Sequence, residues 1–485
     1  MKQRLLKNYM VCSLASLCMT GYAANDKEWP EIPLLNISTV DGVMPSATII
    51  EAPEGCAGTA IKSEHIPGRL VITLKGETIY DSGEYEKSKS GIRIKIRGNT
   101  TGAYLPQKPY KLKLSKKADL IGFDADFKSK DWALLSICTG NQVMKNQECN
   151  LLTLGGFTVC RALGFPWTPR TEFVNVVLNG QYRGLYYLAE TVEQAEKRID
   201  VGADGFLIEN DAYWWKEGEQ YFKTEHLPYM MGYTFKYPDS DVLTEDTKNA
   251  IHEYMNSVES AIFSHSGANR YIDYESFAKW LLAHDILGSD DVAGSNMFLY
   301  KESLGNDEPN ASKLKMGTLW DFDSTFRIGD APWSGQHVSD KFYYPELLKD
   351  EKFLQVYMTL YENYKNTVYS YVEESFNKLK NDVGDALGKS MTLHKEVYSD
   401  QCQNTLDEQI DDYLTHLKAR LESLESLMKE YDYVSGVRNE EQDRKQMVRR
   451  VDVNGTDFSG YDYTALPQNI YVETFSDGSV RKVIR

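Results

Sequence analysis

Several common signatures are missing from this 485-residue sequence. It holds no HExxH, no GxSxG and no paired CxxC. Zinc proteolysis, nucleophile-elbow hydrolysis and zinc-ribbon folds therefore have no support. Cationic side chains are in deficit, with 54 Lys and Arg against 71 Asp and Glu, for a formal charge of −17. Such a surface repels a phosphate backbone, so nucleic acid is not an expected partner, whereas a basic protein substrate or a divalent metal is electrostatically favoured. No low-complexity run interrupts the middle of the chain, and 42 % apolar residues with Tyr-dominated aromatics describe a folded protein of two or three units.

Only one long apolar stretch is present, and it lies at the start. Lys2, Arg4 and Lys7 precede apolar and small residues over 9–19, followed by Gly21-Tyr22-Ala23-Ala24. This pattern predicts an export signal over residues 1–24, and a secreted, periplasmic or cell-envelope protein without a transmembrane segment once the signal is removed. Losing three cations and no acid shifts the formal charge from −17 to −20. Cys56, Cys138, Cys149, Cys160 and Cys402 remain, an odd number without metal-ligand spacing.

What is there reads first as β structure. Residues 25–90 alternate short β-type runs, such as 46–50 and 70–74, with Gly, Pro and Asp turns, which predicts a small β unit. A second β-rich region covers 92–114 and 172–209, where Asn179-Gly180 between two apolar runs predicts a hairpin. Helical character begins near Thr244, and Leu414, Leu417, Leu421, Leu424 and Leu427 form one apolar face. Residues 433–485 read as a polar linker to about Asn469 and a terminal hairpin from 471–475 and 480–484.

The chemistry-bearing residues gather near the centre. Asp291 is followed five positions later by Asn296, which leads into the apolar run 297–300; a polar turn then precedes 314–320, and Asp321-Phe322-Asp323 ends that second strand. Phosphoryl transfer requires this set: a carboxylate that orients the acceptor hydroxyl, and hard oxygen ligands for magnesium on the nucleotide phosphates. Asp and Asn in loops also serve as turn formers and caps, so the set rather than any member carries the reading. For the phosphate-binding cation, Lys108 is the candidate, because it shares strand parity with Tyr110, Leu112 and Leu114, whereas Lys111 and Lys113 point the other way. Glu190 or Glu148 could pair with it.

The ordered series Arg97-Gly98-Asn99, Gln107-Lys108-Pro109-Tyr110-Lys111-Leu112-Lys113-Leu114, Trp132-Ala133-Leu134-Leu135, Asn179-Gly180-Gln181-Tyr182-Arg183-Gly184-Leu185-Tyr186 with Glu190, residues 204–209, 291–300 and 320–323 resembles the CotH kinase family. The resemblance implies an α+β fold with a two-lobed atypical protein-kinase-like core, here over 91–432 behind the small β unit, with a helical C-terminal extension. It further implies ATP with Mg²⁺ or Mn²⁺ and phosphorylation of Ser/Thr hydroxyls of secreted or envelope proteins. Carried over by position, Asp291 would be the base, and Asn296 with one or both of Asp321 and Asp323 the metal ligands. The chain departs from the ordinary kinase pattern in lacking GxGxxG and in having Ser289-Asp290 before Asp291. A pseudokinase acting as an envelope scaffold is therefore the alternative. Lesser alternatives are a metal-dependent glycosyltransferase and a phosphatase of the DxDx[TV] type, matched by Asp321-Phe322-Asp323-Ser324-Thr325. Gly388-Lys389-Ser390 imitates a P-loop, but Val383 occupies the first glycine position and no strand precedes it.

Overall fold

Ile92, Ile94 and Ile96 alternate with Arg93 and Lys95, and Tyr110, Leu112 and Leu114 with Lys111 and Lys113, so each run buries one face and exposes the other. In the computed structural model these runs are neighbouring strands of a curled sheet. The structure describes residues 29–56, 58–137, 151–216, 218, 220–227, 230–289, 292, 294–305, 312–326, 339–443, 447–459, 467, 469–475 and 480–484. Residues 1–24, Cys138, Glu148, Cys149 and Asp291 lie outside the described residues. Within them, no disulfide joins Cys56, Cys160 and Cys402, and no helix is long and apolar enough to cross a membrane.

The chain divides into one unit up to Arg420 and a second from Leu421. The first half of the larger unit contains β1 (Leu34–Thr39), β2 (Thr48–Ile50), β3 (Ala60–Lys62), β4 (Ile66–Leu74), β5 (Glu77–Asp81) and β6 (Ile92–Ile96). It continues with α1 (Thr100–Tyr104), β7 (Tyr110–Ala118), β8 (Ser129–Ser136), α2 (Leu152–Ala162), β9 (Thr171–Leu178) and β10 (Gln181–Glu190). Eight of these strands form one sheet in the order β1-β9-β10-β8-β7-β6-β4-β5, and a further β1–β4 pairing closes it into a barrel. Leu35, Ile37, Leu70, Ile72, Ile94, Leu112, Trp132 and Leu188 fill its interior. Strands from residues 34–81 are thus paired directly with those from 92–190, which corrects the expectation of a separate small β unit over 25–90. Turn residues at regular spacing mark strands, but they do not say which sheet the strands join.

The Asn179-Gly180 hairpin forms as expected, with both residues at positive φ (51° and 75°) between β9 and β10. The second half of the unit carries β11 (Phe206–Asp211), β12 (Tyr221–Phe222), β13 (Gly232–Tyr237), α3 (Glu245–Phe263), α4 (Tyr274–Leu287), β14 (Met297–Lys301) and β15 (Lys315–Met316). The strands make a second sheet in the order β12-β13-β11-β14-β15. Thr244 caps α3, its hydroxyl accepting the Thr247 N–H, which is where helical character was expected to start. Then follow α5 (Tyr344–Leu347), α6 (Glu351–Tyr364), α7 (Val368–Val397) and α8 (Leu406–Asp443), the last crossing the boundary between units.

In the smaller unit, β16 (Met447–Asp452), β17 (Ile470–Phe475) and β18 (Val480–Ile484) form a three-stranded antiparallel sheet. The terminal hairpin is present. The polar linker is not: α8 runs to Asp443, and β16 lies inside the stretch expected to be linker. Arg450 and Glu473, polar in composition, form a buried ion pair at 2.6 Å across β16 and β17, so polarity concealed a strand.

Candidate functional site

The site begins where α4 ends. Gly288 takes a left-handed conformation (φ 57°) that lets its N–H and that of Ser289 turn back on the helix carbonyls, and the chain leaves toward 294–296. Strand β11 holds this loop: the Gly294 N–H donates to the Asn210 side-chain oxygen at 3.1 Å, and the Asn296 N–H to Glu209 Oε1 at 2.9 Å. The other Glu209 oxygen pairs with Lys236 at 2.8 Å. Asn296 is thereby fixed at a φ of 60°, a left-handed conformation that Asn adopts more readily than most non-glycine residues.

Asp321 and Asp323 come from the segment after β15. Phe322 between them is buried and packs edge-on against Phe157 of α2 at 5.0 Å between ring centres. Gly156 permits this approach, since a Cβ there would lie 2.2 Å from the Phe322 ring. Of the flanking residues, Asp321 is exposed and Asp323 half-buried. Asp321 sits at a φ of 71°, and the Asn296 amide Nδ2 donates to its Oδ2 at 3.3 Å. Asn296 and Asp321, separated by 25 positions, are therefore in contact, and Asp323 lines the same recess as Asp321.

The recess is small, about 60 Å³ of cavity volume, below the usual range for a small-molecule pocket, and it opens to solvent. Leu105, Pro109, Leu135, Phe157 and Trp320 supply an apolar wall, and Arg97, Asp321 and Asp323 the charged part of the lining. The Arg97 guanidinium lies 5.4 Å from the centre of the Trp320 ring. Burial pushes its pKa below the ordinary arginine value, while Asp321 and Glu209 act in the opposite sense.

Lys108, expected at the phosphates, is placed elsewhere. Its ammonium donates to the carbonyls of Gly102 and Ala103 at 3.0 Å each, at the end of α1, and burial lowers its pKa. The parity argument that selected it explains the difference. Tyr110 and Leu112 face the barrel interior, whereas Arg97, Pro109 and Leu135 of the recess lie on the opposite parity. Glu190 is engaged by Arg170 at 2.8 Å and is not near a lysine in these pairs. Arg97 was visible in the Arg97-Gly98-Asn99 triplet, and Glu209 in the 204–209 segment, but nothing in their spacing distinguished them from structural residues.

Among the described residues, no group of three or more His, Cys, Asp or Glu side chains gathers as a metal site. The donor set that is present, two carboxylates and a neighbouring amide, nonetheless suits magnesium, which takes hard oxygen ligands and keeps several of its waters. No curated protein matches the chain. The family profile described as CotH kinase protein matches residues 94–424, more than half of the sequence, a span that includes every residue of the recess. The chain belongs to the CotH kinase family.

Proposed function

We propose that the protein is an ATP- and divalent-metal-dependent phosphotransferase acting on Ser/Thr hydroxyls of secreted or envelope proteins. Family membership supports kinase-like chemistry at the coarse level; ATP, the metal and the acceptor are part of the proposal. In this reading the barrel with α2 and the five-stranded sheet with its helices serve as two lobes, because the recess draws residues from both. Arg97 and Leu135 come from the barrel side, and Asp321 and Asp323 from the segment after β15.

The observation that carries the reading is the meeting of Asn296, Asp321 and Asp323 with Arg97 at one recess. Asp321, Asp323 and the Asn296 amide would hold the metal, which supplies charge neutralisation on the nucleotide phosphates. Arg97 offers a fork of donors to the same phosphates, a geometry suited to them. Its position over Trp320 limits its motion. The apolar wall would contact one face of the base, with the rest of the nucleotide lying outside the small recess. Asp291, one residue before Val292, is assigned by resemblance as the carboxylate that orients the acceptor hydroxyl and accepts its proton.

Transfer of labelled phosphate from ATP to a Ser-rich basic protein tests this. The wild type should incorporate label, and Asp321→Ala and Asp291→Ala should each lose at least about 100-fold in rate. Equal incorporation by all three would remove the assigned roles, and no incorporation by the wild type would leave the pseudokinase scaffold as the better reading.

A further inference from the structure

Strand β13 carries one residue more than β11 can pair. Tyr237 stands opposite Leu207 and Phe235 opposite Ile208, so Lys236 is the extra residue of a β-bulge. Bulges re-aim a side chain, and they recur beside active sites. The ammonium of Lys236 meets Glu209 Oε2 at 2.8 Å. The other Glu209 oxygen takes the Asn296 N–H at 2.9 Å, so one carboxylate ties this cation to the residue whose amide contacts Asp321. Two such contacts and the width of a carboxylate put the ammonium no more than about 8 Å from the Asn296 backbone nitrogen.

Lys236 is the more open partner of the pair, with 29 % of its side chain accessible against 12 % for Glu209. An ammonium has three donors and rotates freely, so it can hold a carboxylate and an anion together. Glu209 also acts on Arg97, whose guanidinium lines the recess with Asp321 and Asp323. Its carboxylate therefore has a cation from each sheet in its field, Arg97 after β6 and Lys236 on β13. On a chain of net charge −17, a polyphosphate needs local cations to be held. Lys108, bound to the carbonyls at the end of α1, is not placed to supply one.

We propose that Lys236 binds the distal phosphates of the nucleotide, as the counterpart of Arg97 from the second sheet. The assignment rests on the kinase reading of the recess. Arg97 offers a planar fork from the barrel, and the bulge delivers a compact point charge from β13, so the phosphate chain is held from both sheets. Glu209 keeps the ammonium in place before the nucleotide arrives. A pair that served only to join β11 to β13 would be redundant, because the ladder from Leu207 to Asp211 already joins them.

Calorimetric titration of the full chain with ATP and with AMP, in saturating Mg²⁺, tests this without phosphate transfer. The wild type should bind ATP at least about tenfold more tightly than AMP. Lys236→Gln should lose at least about tenfold in affinity for ATP and less than about threefold for AMP, because only ATP carries the distal phosphates. Lys236→Met, which keeps the apolar stem, should show the same split. Equal losses for the two nucleotides in both variants would mark Lys236 as a structural partner of Glu209 and overturn the assignment. Unchanged ATP affinity in either variant, or a wild type without preference for ATP, would overturn it as well, and each of these results leaves the kinase reading standing. A wild type that binds neither nucleotide would remove the kinase reading and the assignment together.

Discussion

Asn296 and Asp321 approach each other from left-handed backbone conformations, which Asn and Asp adopt more readily than other non-glycine residues and which their neighbours here hold in place. Glu209 is the enforcing group. One of its oxygens takes the Asn296 N–H while the other meets Lys236, so it sets the direction of an amide that it does not touch by side chain. Glu209→Gln keeps an acceptor for the N–H but discards the charge. The expected result is a rise of roughly tenfold in the metal concentration needed for half-maximal phosphate transfer, with the maximal rate changed much less, as for other groups that orient a ligand from behind. A metal titration of transfer activity reads this directly. An equal fall in maximal rate with no change in metal requirement would count against it. At this scale the sequence picks out Asn296, Asp321 and Asp323 by their oxygen donors, and these are residues that meet at the recess. Arg97 is not picked out, since the strand parity that favours Lys108 over Lys111 and Lys113 does not say which face of the sheet the recess uses.

Between elements, the contact of α7 with β10 is a lock built on one imidazole. Strand β10 is irregular between Tyr182 and Gly184, and Gly184, at a φ of 104°, leaves room for His394 of α7, whose Nδ1 would be 2.7 Å from any Cβ there. That nitrogen accepts the Leu185 N–H at 3.0 Å, so the ring is neutral with its proton on Nε2, which faces the Gln401 side-chain oxygen at 2.9 Å. Burial lowers the His394 pKa to about 4. In the unfolded chain the ring takes a proton near pH 6.5, so below that pH the unfolded state binds more protons than the folded one, and stability falls with pH until the folded ring also titrates near 4. From pH 7 to pH 5 this one group should remove about 2 kcal/mol. Urea unfolding at the two pH values should therefore show a smaller loss for His394→Gln than for the wild type by about that amount; identical losses would show that the ring is not the group responsible. Hairpins and capped helices were readable because Asn179-Gly180 and Thr244 act locally. Helix α2, with two adjacent glycines, offers no such signal. Gly155 and Gly156 are there because Tyr413 and Phe322 press against the helix, a reason that exists only after folding.

For the whole molecule, the limits of the family match and the limits of the fold do not coincide. The match begins at residue 94, yet the barrel is closed by β1, which pairs antiparallel with β4 along one edge and parallel with β9 along the other. Thr39 and Asn179 fasten that junction, the Asn179 amide donating to the Thr39 hydroxyl at 2.8 Å and its oxygen accepting the Thr39 N–H at the same distance. A chain restricted to residues 94–424 would lose Leu35, Ile37, Leu70 and Ile72 from the core, all at most 1 % exposed. At roughly 1.5–3 kcal/mol for each buried aliphatic side chain, the loss is about 6–12 kcal/mol, as large as the whole stability of an ordinary domain. It would also leave the outer edges of β9 and β6 without strand partners, and open edges of this kind recruit other chains. The restricted chain should therefore emerge aggregated, without a cooperative melt in circular dichroism, while the full chain is monodisperse in size-exclusion chromatography. A soluble fragment with a sharp transition would mean that β1 and β4 decorate the barrel and do not close it.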